Sequence, residues 1–591
     1  MFLKYRQAIA WYHKVVFPSK IPVFFSGLII IHGLVEYGML AILVTFLTDN
    51  PEFPLPKAAQ MVNIHEGLSS LLVIVVAELS DSYFGRLNLI LFTHTAFILG
   101  LGMIWYEAHR QSIIALYGAL ALLTVGKAGR DVTLKAFLAD QLWRRSKGED
   151  PNLEEDQEVV GIRRKLIWRV NWILGIIAAT LWYRYSTDEE LTWMKVAKVC
   201  TMAMVAAFSV FLLGIPFYVR NAPSPSPILY VFNVVKAAIL KRRLDYPVSA
   251  SQLFKNDSTS DPQIFPHIPF LRWLDKAAIL EPSSPPIEQA ETAGRLFEVA
   301  KVKDVKRLIS MFPLWSTFFV YSLVQATEST FFYLQADFMD DHLGKFSHVP
   351  IVVFVIIKTS TSSSVAFLCE FLKKKASPAP PRRPPLYRIL LGMLCSLFCC
   401  LTAWRVEVYR RCKLQLWVDD YNNEHYDTII GMFWLTPQFI LAGLMDGLSS
   451  SGLQDFFETQ VCDSMKGYGP EFSEFATAIG KFFSVMSILI FRPWFKEDVN
   501  RSRLDKYYAM LMVPTFLNFC FCCFVSNWYA NQQQPHDIDI DMDVNIAQES
   551  QEVSTNNQNL GFDIIAHQEL EDGPVETVTE PTSSLRVFER N

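Results

Sequence analysis

Five charged residues lie within one apolar stretch of this chain: Lys127, Arg130, Asp131, Lys135 and Asp140. Positions four apart share one face of a helix, so Lys127, Asp131 and Lys135 form a cation–anion–cation stripe, with Arg130 about 100° away. The two lysines hold Asp131 ionised, and the net positive stripe can bind a carboxylate or another anion. The alternative is that Asp131 only neutralises its neighbours and locks this helix against the tenth predicted helix.

Four further titratable groups interrupt other apolar stretches. Glu328 and Lys358 form a buried pair if they face each other, and that pair serves either as a gate or as a static structural contact. Asp446 is a candidate for an acid that lines a cavity, or else for a hydrogen-bonded acid between helices. His32 titrates near neutral pH, so it is a candidate for proton transfer or for a hydrogen bond to a neighbouring helix. A charge at mid-bilayer costs about 2.5–3.5 kcal/mol, so each charged group needs water or a partner.

The elements that carry these groups are apolar blocks of about twenty residues, the length that crosses roughly 30 Å of hydrocarbon. The 591-residue chain is 51% hydrophobic and only 19% charged, which excludes soluble and nucleic-acid-binding classes. Its ten cysteines predict no disulfide framework and no metal site. No nucleophile–base constellation and no phosphate-binding glycine loop appears, so we expect no enzyme activity, no cofactor and no metal.

Twelve apolar blocks predict an all-α, polytopic membrane protein. Basic residues concentrate in the even-numbered loops, for example Arg144, Arg145 and Lys373, which predicts that these loops and both termini are cytosolic. The predicted spans, numbered in chain order, are 22–48, 65–83, 88–107, 113–141, 166–186, 194–219, 308–335, 348–372, 386–409, 427–459, 471–495 and 505–529.

The longest connection, 220–307, divides the twelve spans into six and six. It predicts two six-helix bundles, 22–219 and 308–530, joined by a cytosolic linker. The later part of the linker, 270–278 and 291–306, is expected to be helical and amphipathic and to lie along the membrane face. Residues 1–21 are expected to form a cytosolic N-terminus. Residues 531–591 hold thirteen Asp and Glu against two Arg, which predicts a disordered acidic cytosolic tail.

Several segments of the chain resemble a known family. The run from Ala77 to Arg86, AELSDSYFGR, resembles the loop motif between helices 2 and 3 of major facilitators, in the version of the proton-dependent oligopeptide transporters. Residues 270–278, FLRWLDKAA, and 311–315, MFPLW, resemble segments of the plant branch, the nitrate/peptide transporter family. The resemblance covers residues 22 to 530 and implies two bundles that rock around a central site. It also implies that Asp81 and Arg86 hold a cytoplasmic gate.

The sequence departs from this family in the first helix. The family carries an E-x-x-E-R motif implicated in proton coupling, and Ile29, His32 and Gly33 occupy those three positions here. Proton handling is then expected to pass to Glu328, Asp446 or His32, as the ionisable groups that remain in the spans outside span 4.

The resemblance implies a secondary active transporter of a small charged or zwitterionic solute. The solute is peptide-like, amino-acid-derived such as nicotianamine, or nitrate, and the mixed charges favour a zwitterion. We expect coupling to a proton gradient; the alternatives are an uncoupled facilitator, a proton-exchange effluxer or a non-transporting receptor-like protein. Expected partners are the solute, protons and the lipid bilayer of the plasma membrane or an endomembrane, vacuolar or vesicular, but not nucleic acid. The sequence predicts neither an oligomeric state nor the direction of flux.

Overall fold

Most of this fold consists of helices formed by long apolar runs. A helix satisfies its own backbone hydrogen bonds, so it is stable where water is absent. The computed structural model describes residues 21–49, 53–110, 113–149, 157–185, 193–220, 227–249, 252–255, 264, 268–280, 289, 291, 294–342, 349–375, 384–418, 424–461 and 465–532. Among these residues, eleven helices are long and apolar enough to cross a membrane. The predicted N-terminal segment and the predicted tail lie almost wholly outside the described residues.

Six spans come from the first half of the chain, and two of them are interrupted. Span 1 comprises Ile21–Gly38 and Leu43–Thr48, and span 4 comprises Ile113–Gly129 and Lys135–Glu149. The remaining spans of this half are the helices Leu55–Leu79, Arg86–Arg110, Gln157–Tyr185 and Trp193–Leu213.

The second half supplies the other six spans. Span 10, Thr436–Gln460, includes Asp446, Asp455 and Glu458 and is not among the eleven. Its 25 residues still extend about 37 Å at 1.5 Å per residue, enough to cross a bilayer. The other five are Phe312–Thr327 with Tyr333–Asp337, Val352–Lys375, Pro384–Cys412, Gly469–Ile490 and Leu504–Gln532.

Wider π-helical turns interrupt spans 4 and 7, at Arg130–Leu134 and Glu328–Phe332. Such turns insert an extra residue into the helical repeat and occur frequently at functional sites. Each of the two begins at a charged residue that the sequence marks as a site candidate. The turns therefore set the direction in which these charges project.

The spans pack mainly within their own half of the chain. Span 1 packs against spans 5 and 6, and span 3 against spans 4 and 6, whereas span 10 packs against spans 8 and 9. Span 2 crosses over to pack along span 11, and span 5 contacts span 8. These cross-half contacts lie between the two groups of six, which is where a central site is expected.

Within the two groups of six, the start of span 2 and the segment before span 10 differ from the sequence-based expectations. Span 2 begins at Leu55 rather than at 65, with Pro56 in its first turn, a position that suits proline. An antiparallel hairpin, β1 (Leu414–Val418) and β2 (Glu424–Thr428), precedes span 10 in a segment for which only helix was predicted. Its five-residue strands are too short to give a clear alternating pattern in the sequence.

The linker contains three helical segments in its described residues. They are Pro227–Leu240, the 3-10 helix Pro269–Ala278, and Val299–Ser310, which leads directly into span 7. Lys306 and Asp275 form a fully enclosed ion pair at 2.8 Å that joins the last two segments. Burial raises the pKa of the Asp275 carboxyl, although the neighbouring Lys306 opposes this shift. Pro269–Ala278 matches the helical segment expected at 270–278, and Val299–Ser310 overlaps the one expected at 291–306. Pro227–Leu240 was not predicted.

Candidate substrate and coupling site

The first group of paired charges joins spans 1 and 4. The Glu36 carboxylate lies 3.2 Å from Lys127 Nζ and accepts a hydrogen bond from Arg130 Nη1 at 2.7 Å. Arg130 also binds Asp131 through two contacts, Nε to Oδ1 at 2.9 Å and Nη2 to Oδ2 at 3.1 Å. We call these four residues the N-half cluster.

The direct ion pairs in span 4 differ from the predicted cation–anion–cation stripe. Asp131 forms its ion pair with Arg130, the residue expected on another face, and Lys127 pairs with Glu36. The cause is the π-helical turn Arg130–Leu134, which breaks the four-residue spacing on which the stripe depends. The cluster also joins span 4 to span 1, not to span 10 as the structural alternative assumed.

The second group joins spans 7, 8 and 10. Lys358 Nζ forms an ion pair with Glu328 and lies 3.2 Å from Asp446 Oδ2. The Tyr321 hydroxyl donates a hydrogen bond to Asp446 Oδ1 at 2.6 Å, and the Tyr333 hydroxyl donates one to Glu328 Oε1 at 3.4 Å. Glu328 is completely buried, whereas Lys358 and Asp446 keep some exposed surface. We call Glu328, Lys358 and Asp446 the C-half cluster.

A hydrogen bond between the two halves lies next to both clusters. Thr359 Oγ1 donates to Tyr37 Oη at 3.4 Å, and Trp172 Nε1 donates to the same hydroxyl at 3.2 Å. Tyr37 follows Glu36 in span 1, and Thr359 follows Lys358 in span 8. The contact therefore brings the two charged clusters to the same region between the halves.

Aromatic side chains of span 5 cover the cations of span 4. The rings of Trp168 and Trp172 are stacked, with centroids 5.9 Å apart. The Arg130 guanidinium lies 5.3 Å from the Trp172 ring, and Lys135 Nζ lies 5.1 Å from the Trp168 ring. Both distances fit cation–π attraction, so the two tryptophans form a half-buried wall beside the N-half cluster.

His32 is enclosed by aromatic rings. Its centroid lies 5.0 Å from that of His94 and 5.1 Å from that of Phe97. Neither ring nitrogen of His32 has a hydrogen-bond partner among the described residues. The alternative in which His32 bonds to a neighbouring helix is therefore wrong within the part of the chain that the structure describes.

The sequence analysis missed several charged residues of the spans, among them Glu36, Glu66, Lys481 and Glu474. Lys481 Nζ lies 3.6 Å from Glu66 and donates to Ser70 Oγ at 3.1 Å, and Ser70 donates to Glu474 Oε2 at 2.8 Å. This chain of contacts joins spans 2 and 11. We expected Glu328, Asp446 and His32 to be the ionisable groups that remain in the spans outside span 4. That expectation is wrong, because these further charged residues lie there too. A charge within an apolar block was the available signal.

The two gating candidates belong to a network that reaches both halves. Arg86 Nε lies 2.9 Å from Asp81 Oδ1, and Arg86 Nη1 lies 2.7 Å from Asp140 Oδ1. The Tyr468 hydroxyl, just before span 11, donates to Asp81 Oδ2 at 2.7 Å. Asp81 thus connects the turn between spans 2 and 3 to the second half of the chain.

A similar ion pair occurs at the matching place in the second half. Arg388 at the start of span 9 pairs with Asp455 near the end of span 10, just as Arg86 at the start of span 3 pairs with Asp140 in span 4. Lys373 of span 8 lies 3.3 Å from Asp455. The repetition indicates that the two groups of six are built on one plan.

One exposed group of described residues has spacing that would suit a metal ion. Asp340, Asp341 and His342 follow span 7, with His342 Nδ1 2.8 Å from Asp340 Oδ1. Exposed acidic groups commonly occur without an ion. We assign no metal to this group.

Comparisons with known proteins agree with this architecture. A family model described as the POT family matches residues 88–492. Protein NRT1/PTR FAMILY 5.7 of Arabidopsis thaliana is 29% identical over 540 residues, which cover 85% of this chain and 86% of the relative. Protein NRT1/PTR FAMILY 5.6 of the same plant is 28% identical over 516 residues, which cover 82% of this chain and 86% of the relative.

Solved structures of POT transporters share the fold. An auto-inhibited POT family peptide transporter gives a TM-score of 0.61 at 15% identity, covering 87% of this chain and 97% of that chain. A POT family transporter in complex with 5-aminolevulinic acid gives a TM-score of 0.59 at 10% identity, covering 86% of this chain and 96% of that chain. The predicted family and the all-α major facilitator fold are confirmed. The chain therefore belongs to the POT family, whose members are integral membrane transporters of small solutes and not enzymes.

Proposed function

We propose that this protein is a secondary active transporter of a small zwitterionic solute, such as a short peptide or an amino-acid-derived compound. The charges of the two clusters support this substrate class. The N-half cluster has two cations and two anions, and Lys135 beside it makes the local sum +1. The C-half cluster has two carboxylates and one ammonium, a sum of −1 when all are ionised.

A zwitterion matches this division of charge. Its carboxylate would bind near Lys127, Arg130 and Lys135, and its amine near Glu328 and Asp446. Two unit charges 4 Å apart attract by about 4 kcal/mol at an effective dielectric constant of 20, so each end contributes substantially. Nitrate could bind only the cations near Lys127, because it has no amine to bind Glu328 and Asp446. Its negative charge would also lie close to these two carboxylates, so nitrate is the less favoured solute.

The aromatic wall supports a substrate with an apolar or planar part. Trp168 and Trp172 present ring surface next to the cations, and Tyr37 adds a third ring 6.0 Å from Trp172. Rings of this kind contribute apolar contact area and cation–π attraction. A related structure in complex with 5-aminolevulinic acid, which has an amine and a carboxylate, shows that the fold accommodates such a molecule in a relative.

Coupling to protons would operate at the C-half cluster. Two carboxylates share the single ammonium of Lys358, so the cluster can take up one proton or one substrate amine to become neutral. Either event would weaken the hold of the acids on Lys358 in span 8. Because Thr359 is the next residue and bonds to Tyr37, movement of span 8 would loosen the contact between the halves. This sequence of events would link neutralisation to alternating access.

The test is solute flux into vesicles that contain the purified protein, with and without an imposed pH gradient. The solutes are a dipeptide, nicotianamine and nitrate. We expect flux of a zwitterion that the proton gradient accelerates, and loss of this acceleration in Glu328→Gln and Asp446→Asn. Glu458→Gln, on the same helix as Asp446 but outside the cluster, is the matched control and should behave as wild type.

Three outcomes would replace the proposal. Flux of wild-type protein that ignores the gradient would favour an uncoupled facilitator, while acceleration in the opposite direction would favour proton-exchange efflux. If no solute moves although one raises the thermal stability of the protein, a receptor-like role is the better account.

A further inference from the structure

The linker helix Pro227–Leu240 is apolar on its exposed side. Leu229, Phe232, Ile239 and Leu240 are exposed, and the side chains of Phe232 and Leu240 each keep 63% of their accessible surface. Their spacing of three, seven and one residues places them along one broad face of the helix. Exposed apolar surface of this kind marks an interaction site rather than ordinary solvent-facing surface.

The opposite side of this helix is already occupied. Val234, Ala237 and Ala238 are buried, and the helix packs against the 3-10 helix Pro269–Ala278. Lys241 at its end donates a hydrogen bond to the carbonyl of Ile279 at 2.7 Å. The helix is therefore held in place by the linker with its free face outward, and a second apolar surface is needed to cover that face.

The length of the helix excludes a further membrane crossing. Fourteen residues extend about 21 Å, which is less than the roughly 30 Å of a hydrocarbon core. The helix also follows soon after span 6, which ends at Leu213, so it starts close to the membrane. A short apolar helix so near the bilayer fits a position in the interface plane.

Basic side chains lie on and beside the apolar face. Lys236 is exposed between Phe232 and Ile239, and Arg242 and Arg243 are exposed just beyond the end of the helix. The nearest exposed acid in the described sequence is Asp245, two residues beyond Arg243, which leaves a net charge of +2 on these exposed side chains. Near an anionic membrane surface each Lys or Arg strengthens attachment, and the effect adds to burial of the apolar face.

We propose that the linker helix binds the bilayer surface, with its apolar face in the acyl-chain boundary and Lys236, Arg242 and Arg243 on the headgroups of anionic phospholipids. This attachment would hold the linker against the membrane. The ion pair of Lys306 with Asp275 would extend this restraint to Val299–Ser310, the helix that leads into span 7. The acidic C-terminal tail, which carries complementary charge, is the competing occupant that the experiment below must distinguish from lipid.

The test is hydrogen exchange of the full-length protein in two kinds of nanodisc, one of phosphatidylcholine alone and one that also contains phosphatidylserine. The amides of 228–243 should exchange about tenfold more slowly with phosphatidylserine present, in line with three cations at an anionic surface. Raising the salt from 0.1 to 1 M shortens the screening length from about 10 Å to about 3 Å and should remove the difference.

Variants that remove or keep the positive charges distinguish an effect of charge from an effect on folding. Neutralising all three cations (Lys236→Gln, Arg242→Gln, Arg243→Gln) should abolish the dependence on phosphatidylserine, whereas Arg242→Lys with Arg243→Lys should keep it. Arg492→Gln, an exposed arginine in the turn after span 11, is the control and should change nothing.

Two results would overturn the proposal. Equal exchange in both nanodiscs at every salt concentration would show that anionic lipid does not bind. Salt-sensitive protection that is the same in both nanodiscs would assign the face to the acidic tail instead. Neither result bears on solute transport, which the flux measurements test separately.

Discussion

At the scale of single residues, the loss of the family motif in span 1 has a steric counterpart. Gly33 stands where the motif has arginine, and a Cβ atom there would lie 3.0 Å from the carbonyl oxygen of Trp172 and 3.2 Å from the Cα of Gly175. Spans 1 and 5 therefore approach backbone to backbone, and no long side chain fits. Arg130 of span 4 instead brings a guanidinium to Glu36, one turn beyond His32.

Lys358 is the residue whose removal should have the largest effect. Lys358→Met leaves Glu328 and Asp446 facing each other without a counter-charge, and breaking a buried pair from one side costs about 3–5 kcal/mol. We expect a clear fall in thermal stability and loss of flux, whereas Lys358→Arg should retain most of the stability.

Lys301→Met is the matched control, because its partner Glu298 is 3.9 Å away at the surface and such pairs contribute about 0–1 kcal/mol. The measurements are thermal unfolding of the purified protein and solute uptake. Unchanged unfolding temperature and uptake in Lys358→Met would show that the C-half cluster is neither structural nor functional.

Which residues matter could be predicted from the sequence only in part. Charges in apolar blocks identified Lys127, Arg130, Glu328, Lys358 and Asp446 as candidates, because such charges need partners wherever the fold places them. Their pairing in span 4 could not be predicted, since the π-helical turn shifts the helical face and leaves no trace in residue spacing. Only the packing of span 1 against span 4 reveals that Glu36 is a partner.

At the scale of elements, the contact of span 10 with span 8 positions the C-half cluster. A Cβ atom on Gly443 would lie 2.5 Å from the carbonyl oxygen of Lys358, and one on Gly447 would lie 2.6 Å from that of Ser362. Both distances are too short for a real contact. The two glycines therefore permit the approach that brings Asp446 to Lys358.

Gly447→Ala should force span 10 away from span 8. We expect a loss of about 1–3 kcal/mol of stability, as for other overpacked sites, together with reduced flux. Gly102→Ala in span 3 meets no atom within 4 Å and should be neutral or slightly stabilising, because alanine favours the helix. Equal unfolding temperatures for the two variants would contradict this account of the contact.

The Tyr468 hydroxyl joins Asp81, one of the two proposed gating residues, to the second half of the chain. Tyr468→Phe removes the hydrogen bond to Asp81, and a hydrogen bond of this kind contributes about 0.5–1.5 kcal/mol. Amide exchange in residues 80–86 should therefore accelerate by roughly two- to tenfold. Tyr387→Phe, at an exposed tyrosine of span 9, serves as the control. Exchange that does not change in Tyr468→Phe would mean that the contact does not hold the gate.

Elements were easier to predict than their details. Each of the twelve predicted spans corresponds to a long helix among the described residues, and eleven of these helices are long and apolar enough to cross a membrane. The start of span 2 was placed too late, since Lys57, Gln60 and Asn63 make its first turns polar. The linker helix Pro227–Leu240 was missed because the three prolines before it mark a flexible connection, and its fourteen residues are too few for a span.

At the scale of the whole molecule, the N-half cluster with Lys135 and the C-half cluster carry opposite excess charge. The sum is +1 around the N-half cluster with Lys135 and −1 in the C-half cluster when all groups are ionised. A zwitterion bound between them would attract each half toward itself. The same solute would therefore favour closure of the halves around it, as alternating access requires.

The most direct test of this central claim is competition by chemically blocked substrates. A dipeptide that the protein transports is compared with its N-acetylated and its C-amidated forms, as competitors of radiolabelled dipeptide uptake in protein-containing vesicles. If both charged ends bind, each blocked form should compete at least about tenfold more weakly than the free dipeptide, which corresponds to about 1.4 kcal/mol per lost charge contact. Transport of nitrate together with equal competition by all three peptides would contradict the claim.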